Sequence, residues 1–102
     1  MTQLRYTRRA EADLDSIAAY TLGRWGLDQA QRYLGALIAC CESVAADMSR
    51  GRVHHPRPEY LSTELGKHVV FFRRDESGAT LIVRILHQRM LPDLHLTEAP
   101  EE

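Results

Sequence analysis

Residues 68–87, HVVFFRRDESGATLIVRILH, decide the fold of this 102-residue chain. Two runs rich in β-branched and aromatic residues, at 68–74 and 80–87, flank the turn-forming residues 75–78. This pattern predicts an antiparallel β-hairpin. Successive side chains of a strand point to opposite faces, so the hairpin also predicts which residues share a face.

One face of this hairpin is entirely apolar if the turn contains an even number of residues. That register places Val70 and Phe72 on the same face as Leu81, Val83 and Ile85, and we expect helices to cover it. The opposite face is expected to carry four apolar residues and two arginines: Val69, Phe71, Ile82, Leu86, Arg73 and Arg84. A sheet with one face in water alternates apolar with polar residues, and this hairpin does not.

Two explanations account for the second apolar face. In the first, the C-terminal segment 90–96 folds back and covers it. In the second, a partner covers it, because an exposed apolar patch flanked by arginines is typical of a protein-binding surface. Few residues follow Leu86, and several of them are polar. We therefore expect the chain to cover this face incompletely, and we favour a partner.

The N-terminal part of the chain predicts a strand and a helix. Residues 3–6 alternate polar with apolar side chains, as a short strand does. Thr7 can then cap a helix whose apolar residues follow helical spacing from Ala10 onward. The glycines of the stretch 23–26 are expected to end this helix.

A second helix is the most regular element of the sequence. Asp28 is expected to cap it, and its apolar residues keep the helical rhythm as far as Met48. Residues 50–51 should stop it. The proline-containing stretch 52–60 predicts a loop, and residues 60–65 predict a short strand before the hairpin.

The predicted order is therefore β-α-α-β-β-β. This is an α+β fold in which an N-terminal strand precedes a helical hairpin, packed on one face of an antiparallel sheet. Residues 1–96 are expected to form one domain, and the acidic residues 97–102 to form a frayed tail.

Composition excludes several classes of protein. The 13 basic and 14 acidic residues give a net charge of −1, which argues against a surface devoted to nucleic acid, and we expect no direct sequence-specific binding of it. The sequence has neither the roughly 20 apolar residues of a membrane span nor an apolar signal core, so we expect no membrane association. Cys40 and Cys41 are expected to be reduced thiols in a cytoplasmic protein.

Few residues suggest catalysis. His87 lies between Arg84 and Arg89, so it could act as an acid or base beside a phosphate clamp, but a structural role at the strand end is the more ordinary explanation. Adjacent His54 and His55 are poorly placed to bind one metal ion. We expect no metal and no cofactor. Trp25 is expected to pack the helical hairpin against the sheet.

Five segments, taken together, resemble the ParE toxins of the ParE/RelE superfamily. They are Ala10-x-x-Asp13-Leu14-x-x-Ile17-x-x-Tyr20, Arg24-Trp25-Gly26-x-x-Gln29-Ala30-x-x-Tyr33, His68-Val69-Val70-Phe71-Phe72-Arg73, Arg84-Ile85-Leu86-His87-Gln88-Arg89-Met90 and Asp93-Leu94-His95-Leu96. Each is weak alone, but they cover residues 3–96 in the order and spacing of the family.

This resemblance implies a cytoplasmic toxin of a type II toxin–antitoxin system. Such a toxin inhibits DNA gyrase and is not itself an enzyme. A ParD-type antitoxin, whose C-terminal segment wraps the toxin in a hetero-oligomer, would neutralise it and would supply the missing cover. The candidate surface for the antitoxin or the target combines the second face with the end of the last strand: Val69, Phe71, Arg73, Ile82, Arg84, Leu86, His87, Arg89 and Met90.

The alternative is a RelE-like endonuclease that cleaves mRNA on the ribosome. Sites of that type typically use several Lys and Arg residues with a C-terminal tyrosine. Here Lys67 is the only lysine, and the last tyrosine is Tyr60. Arg84 matches an arginine position of the nuclease branch, and His87 could imitate the histidine of some of its members, but the rest of the set is absent, so gyrase inhibition is favoured.

Overall fold

A five-stranded mixed sheet carries two long helices on one face in the computed structural model, which describes residues 3–53, 57–90 and 92–96. The elements in chain order are β1 (Leu4–Tyr6), α1 (Arg8–Trp25), α2 (Leu27–Ala46), a 3₁₀ turn (Met48–Arg50), β2 (Arg52–Val53), β3 (Leu61–Leu65), β4 (His68–Arg74), β5 (Thr80–His87) and the short α3 (Pro92–His95). The α+β order predicted from the sequence is confirmed. His54, His55 and the predicted tail 97–102 lie outside the described residues.

The two long helices are joined by a single residue, Gly26. The predicted cap of α1 is confirmed, since the Ala10 amide donates to Thr7 Oγ1 at 3.0 Å. Gly26 has a φ of 90°, a conformation that favours glycine, and it serves as the last cap of α1 and the first cap of α2. The prediction that Asp28 caps α2 is wrong, because the chain re-enters a helix at Leu27 and places Asp28 inside the first turn.

The strand order of the sheet is β1-β5-β4-β3-β2. An entirely antiparallel sheet was expected, but β1 runs parallel to β5, with Leu4 opposite Thr80. The parallel pair is possible because the whole helical hairpin lies between these strands in the chain. The predicted loop 52–60 also contains β2, a strand of two residues that pairs with β3 and is too short to show a period.

The length of the hairpin turn and a β-bulge in β5 together decide which residues share a face. Phe71 lies opposite Arg84 while Phe72 lies opposite Ile82, so Val83 is an extra residue. Arg74 pairs with Thr80, so five residues separate the strands rather than the expected even number, and Ile82 faces the helices whereas Leu81 and Val83 face away from them. The predicted faces of these three residues are wrong because the turn is odd, and the bulge then returns Ile85 and Leu86 to their predicted faces.

The side chains form two cores, one on each face of the sheet. The larger core lies between the sheet and the helices and contains Leu37, Phe72 and Ile82. The second core lies on the other face and consists of Tyr60, Phe71, Leu81, Val83, Leu86 and Leu96, with Val69 packed against it. The chain therefore covers its own second face, and the expectation that a partner is needed to cover it is wrong.

The structure also describes the state of the two cysteines and the character of the helices. Cys40 and Cys41 are free thiols, as predicted. None of the helices in the described part of the chain combines the length and apolarity needed to cross a membrane.

Candidate functional site

The nine candidate residues fall into a buried group and an accessible group. Phe71, Ile82 and Leu86 are buried in the lone chain, and Ile82 lies on the helix face. The other six reach solvent to different extents: Val69, Arg73, Arg84 and His87 are partly buried, and Arg89 and Met90 are exposed. The structure therefore brings together only part of the predicted surface, at the end of β5.

Arg84 is held by contacts within the chain. Its Nε and Nη2 atoms donate to the two carboxylate oxygens of Asp13 at 2.8 and 2.9 Å, and its Nη1 donates to the His95 carbonyl at 3.1 Å. Asp13 also accepts the Ile85 amide at 2.9 Å. The hydrogen bonds that Arg84 donates to Asp13 raise the pKa of Arg84. Arg84 thus ties α1, β5 and α3 together, with all three guanidinium nitrogens occupied.

The cover of the second face comes from residues 57–60 and the segment around α3. Leu96 is completely buried in the second core, and its amide donates to the Pro92 carbonyl at 2.8 Å. Arg57 donates from Nη1 to the Leu96 carbonyl at 3.3 Å and lies over the Tyr60 ring at 5.3 Å. Arg57 and Arg84 therefore both hold carbonyls at the end of this segment.

A cleft opens where the tip of the helical hairpin approaches the β3–β4 turn and the end of β5. We name it the Trp25 cleft, and it has a volume of about 360 Å³. Its lining residues are Tyr20, Thr21, Arg24, Trp25, Gln29, Tyr33, Gly66, Lys67, His68 and His87. Trp25 was expected to pack against the sheet, but its side chain is 64% exposed at the mouth of this cleft. That prediction is wrong, because α1 ends at Trp25 and carries it beyond the sheet.

Tyr33 and His68 form the hydrogen-bonded floor of the Trp25 cleft. Tyr33 Oη is 2.6 Å from His68 Nδ1 and 3.2 Å from the Leu65 carbonyl. A carbonyl can only accept, so both bonds are satisfied when Tyr33 donates to Leu65 and His68 Nδ1–H donates to Tyr33. Burial raises the pKa of Tyr33, which keeps its hydroxyl protonated as this arrangement requires.

Two histidines meet edge to face in this cleft. His68 pairs with His87 across the β4–β5 ladder, and their ring centroids are 5.6 Å apart. Burial, and secondly the proximity of His87, lowers the pKa of His68 and favours its neutral form. His87 Nδ1 accepts the Arg89 amide at 3.2 Å, which leaves its ring proton on Nε2.

The sequence offers one indication of this cleft, because His68 and His87 stand at the outer ends of the two hairpin strands. Their direct pairing depends on the odd turn and the bulge, which the sequence pattern does not reveal. Tyr20, Tyr33 and Lys67 carried no such signal, because only the packing of the hairpin tip brings them there. Among the described residues, no group of three metal-binding side chains is present.

Comparison with known proteins identifies relatives over almost the whole chain. The family described as the ParE toxin of the type II toxin–antitoxin system parDE matches residues 4–92. The chain is 40% identical to toxin ParE1 of Caulobacter vibrioides over 98 residues, which is 94% of this chain and 99% of that protein. It is also 40% identical to toxin ParE1 of Mycobacterium tuberculosis over 88 residues, covering 85% and 90% of the two chains.

Two solved structures have the same fold. A chain of the chromosomal ParDE system from P. aeruginosa superimposes with a TM-score of 0.72 at 24% identity, covering 85% of this chain and 96% of that one. A chain of the RelBE2 toxin–antitoxin complex from M. tuberculosis gives 0.62 at 18% identity, covering 84% and 96%. With the family match and the 40% identical relatives, these findings show that the chain belongs to the ParE toxin family of type II toxin–antitoxin systems.

Proposed function

We propose that this chain is a toxin that inhibits DNA gyrase by binding it, and that a ParD-type antitoxin neutralises it. The observation that carries the proposal is the similarity to ParE toxins over nearly the full length of both chains. The chain itself covers both faces of its sheet, so a partner would contact the residues that remain exposed and not the faces of the sheet.

The accessible candidate residues mark the surface that we propose for the antitoxin or the target. Arg89 and Met90 are exposed just after β5, and the partly exposed His87 connects them to the Trp25 cleft. Methionine, arginine and aromatic side chains are enriched at protein interfaces. We propose that Val69, next to the end of β5, extends this surface, and that Arg73, at the other end of β4, is a separate contact. Phe71, Ile82 and Leu86 are buried, so we propose that they support the fold and do not touch a partner.

The endonuclease alternative requires free cationic groups near an acid and a base. Arg84 does not meet that requirement, because each of its three guanidinium nitrogens is already bonded to Asp13 or to the His95 carbonyl. Tyr60 is buried under Arg57. In the described part of the chain, histidines and cationic side chains come together in the Trp25 cleft instead, so His87 is the residue with which to test RNA cleavage.

Purified gyrase provides the decisive experiment. We expect the chain to inhibit supercoiling or to accumulate cleaved DNA complexes, and we expect a ParD-type antitoxin to reverse this. Arg89→Ala combined with Met90→Ala should weaken the inhibition, whereas Arg32→Ala, an exposed arginine on α2, is the matched control.

Translating ribosomes provide the opposing assay. We expect no mRNA cuts when the chain is added. Cuts that disappear in the His87→Ala variant, together with unaffected gyrase, would replace the proposal with the endonuclease alternative.

A further inference from the structure

The Trp25 cleft exposes two large aromatic rings at its mouth. Tyr20 and Trp25 are 66% and 64% exposed, although large apolar side chains are normally buried. Arg24 lies 5.6 Å from the centre of the Trp25 ring and leaves most of that ring accessible. Exposed aromatic rings beside arginine form stacking platforms for nucleic-acid bases, whose flat faces they match.

The same cleft presents hydrogen-bond donors without any carboxylate among its lining residues. Arg24 and Lys67 are exposed cations, and neither has an acidic partner within the described part of the chain. His87 keeps its ring proton on Nε2, because its Nδ1 accepts the Arg89 amide. Cationic and N–H donors of this kind recognise phosphate oxygens.

The wall of the cleft beneath these groups is built by tight internal contacts. The Gln88 amide donates to the Lys67 carbonyl at 2.8 Å, which joins the β3–β4 turn to the end of β5. Gly66 has a φ of 56°, and a Cβ there would lie 2.8 Å from Tyr33 Oη, so the turn can sit against Tyr33 only as glycine. A wall held in this way reduces the ordering cost of binding.

We propose that the Trp25 cleft binds a nucleotide. The base stacks on Trp25 and Tyr20, and the phosphate contacts Arg24, Lys67 and His87. The volume of about 360 Å³ lies within the range of small-molecule sites. Stacking does not distinguish base sequence, so the site is not sequence-specific. The inference stands independently of the proposed target.

The combination of exposed aromatic rings and cations in the cleft suits a nucleotide better than an acidic peptide as the ligand. An acidic peptide would use Arg24 and Lys67, but it has no need of two exposed aromatic faces. The nucleotide could be free or part of a single strand, since both present a base joined to a phosphate.

The only tryptophan of the chain lies at this cleft, so its fluorescence reports binding directly. Adenosine monophosphate should quench the Trp25 emission saturably, and adenosine or inorganic phosphate alone should bind more weakly. A single-stranded 12-mer of deoxyadenosine distinguishes the sources. Tighter binding of the 12-mer identifies a strand as the ligand, and binding of the mononucleotide alone identifies a free nucleotide.

Two variants test the two halves of the site while Trp25 remains as the probe. Tyr20→Ala should weaken binding about fivefold or more, the lower end for loss of one stacking ring. Lys67→Gln should weaken it about two- to fivefold, as expected for one exposed charge contact, and should reduce its salt dependence. Leu22→Ala, also exposed on α1, and Arg74→Gln, at the opposite end of β4, are the controls and should leave affinity unchanged.

The proposal is overturned if neither nucleotide probe quenches saturably at millimolar concentration. It is equally overturned if both cleft variants bind like the wild type, if adenosine binds as well as its monophosphate, or if a polyglutamate peptide binds where nucleotides do not.

Discussion

The second face of the sheet and the Trp25 cleft differ in the exposure of their aromatic side chains. On the second face Phe71 is 3% exposed, because Tyr60 and Leu96 pack with it in the second core. At the cleft Trp25 remains 64% exposed, with Arg24 across one face. The comparison shows that apolar composition alone does not locate a binding surface. The face that looked unprotected in the sequence is sealed, and the residue that looked structural is open.

The largest expected effect comes from exchanging the two aromatic residues for alanine. Phe71→Ala should lower the free energy of unfolding by about 3–5 kcal/mol, because it empties a well-packed core position. Trp25→Ala should change it by about 0.5 kcal/mol or less, since the ring is mostly in water. Chemical denaturation of both variants measures the difference. Equal losses would mean that the cleft aromatic is structural after all.

Leu96 tests whether the chain itself seals the second face. Leu96→Ala should cost about 2–5 kcal/mol, the range for a fully buried leucine. It should also raise the binding of a dye that recognises exposed apolar surface. Leu27→Ala, at an exposed leucine, is the matched control. A Leu96 variant as stable as the control would show that the second face is not sealed by this segment in solution.

Arg84 was expected from sequence to serve a binding surface without affecting the fold. Its side chain is only 14% exposed and links Asp13 to the His95 carbonyl, so Arg84→Ala should lower the free energy of unfolding by about 1–3 kcal/mol. Arg74→Ala, an exposed arginine at the end of β4, should not. Thermal unfolding compares the two. If the Arg84→Ala variant is as stable as the wild type, Arg84 does not stabilise the fold and remains a candidate for the binding surface.

The smallest effect concerns pH at the cleft. The pKa of His68 lies below its usual value in the folded chain, chiefly because of burial. The unfolded chain therefore binds a proton at this site before the folded chain does, and stability should fall as pH drops below about 6.5, the unperturbed value. The His68→Gln variant should show a shallower loss between pH 7 and pH 5. A constant difference from wild type across that range would exclude this contribution.

Much of the fold could be predicted from the sequence because local signals agreed with the final packing. The cap at Thr7, the stop at Gly26 and the hairpin turn at 75–78 all act within a few residues. Face assignment failed at residues 81–83, because neither the odd length of the turn nor the bulge that follows can be read from the pattern of apolar residues. The prediction of Asp28 as a cap failed for a similar reason, since a one-residue linker left no place for it.

The candidate site was harder to predict than the fold. Arg89, Met90 and His87 were placed at an accessible end of β5, but the cleft beside them depends on three distant segments meeting. Tyr20, Tyr33 and Lys67 are separated in the chain, and no spacing rule connects them. Such a site emerges only when the helical hairpin has docked on the sheet.

The extra residue in β5 gives that strand one position that the pairing with β4 does not require. Exchanging Val83 for another apolar residue keeps each later side chain on its own side. Deleting Val83 would remove the bulge and restore strict alternation, with Ile82 and Ile85 still facing the helices and Leu86 still facing away from them. Loss of this one residue should therefore keep the strand in register and cost mainly the packing of Val83 in the second core.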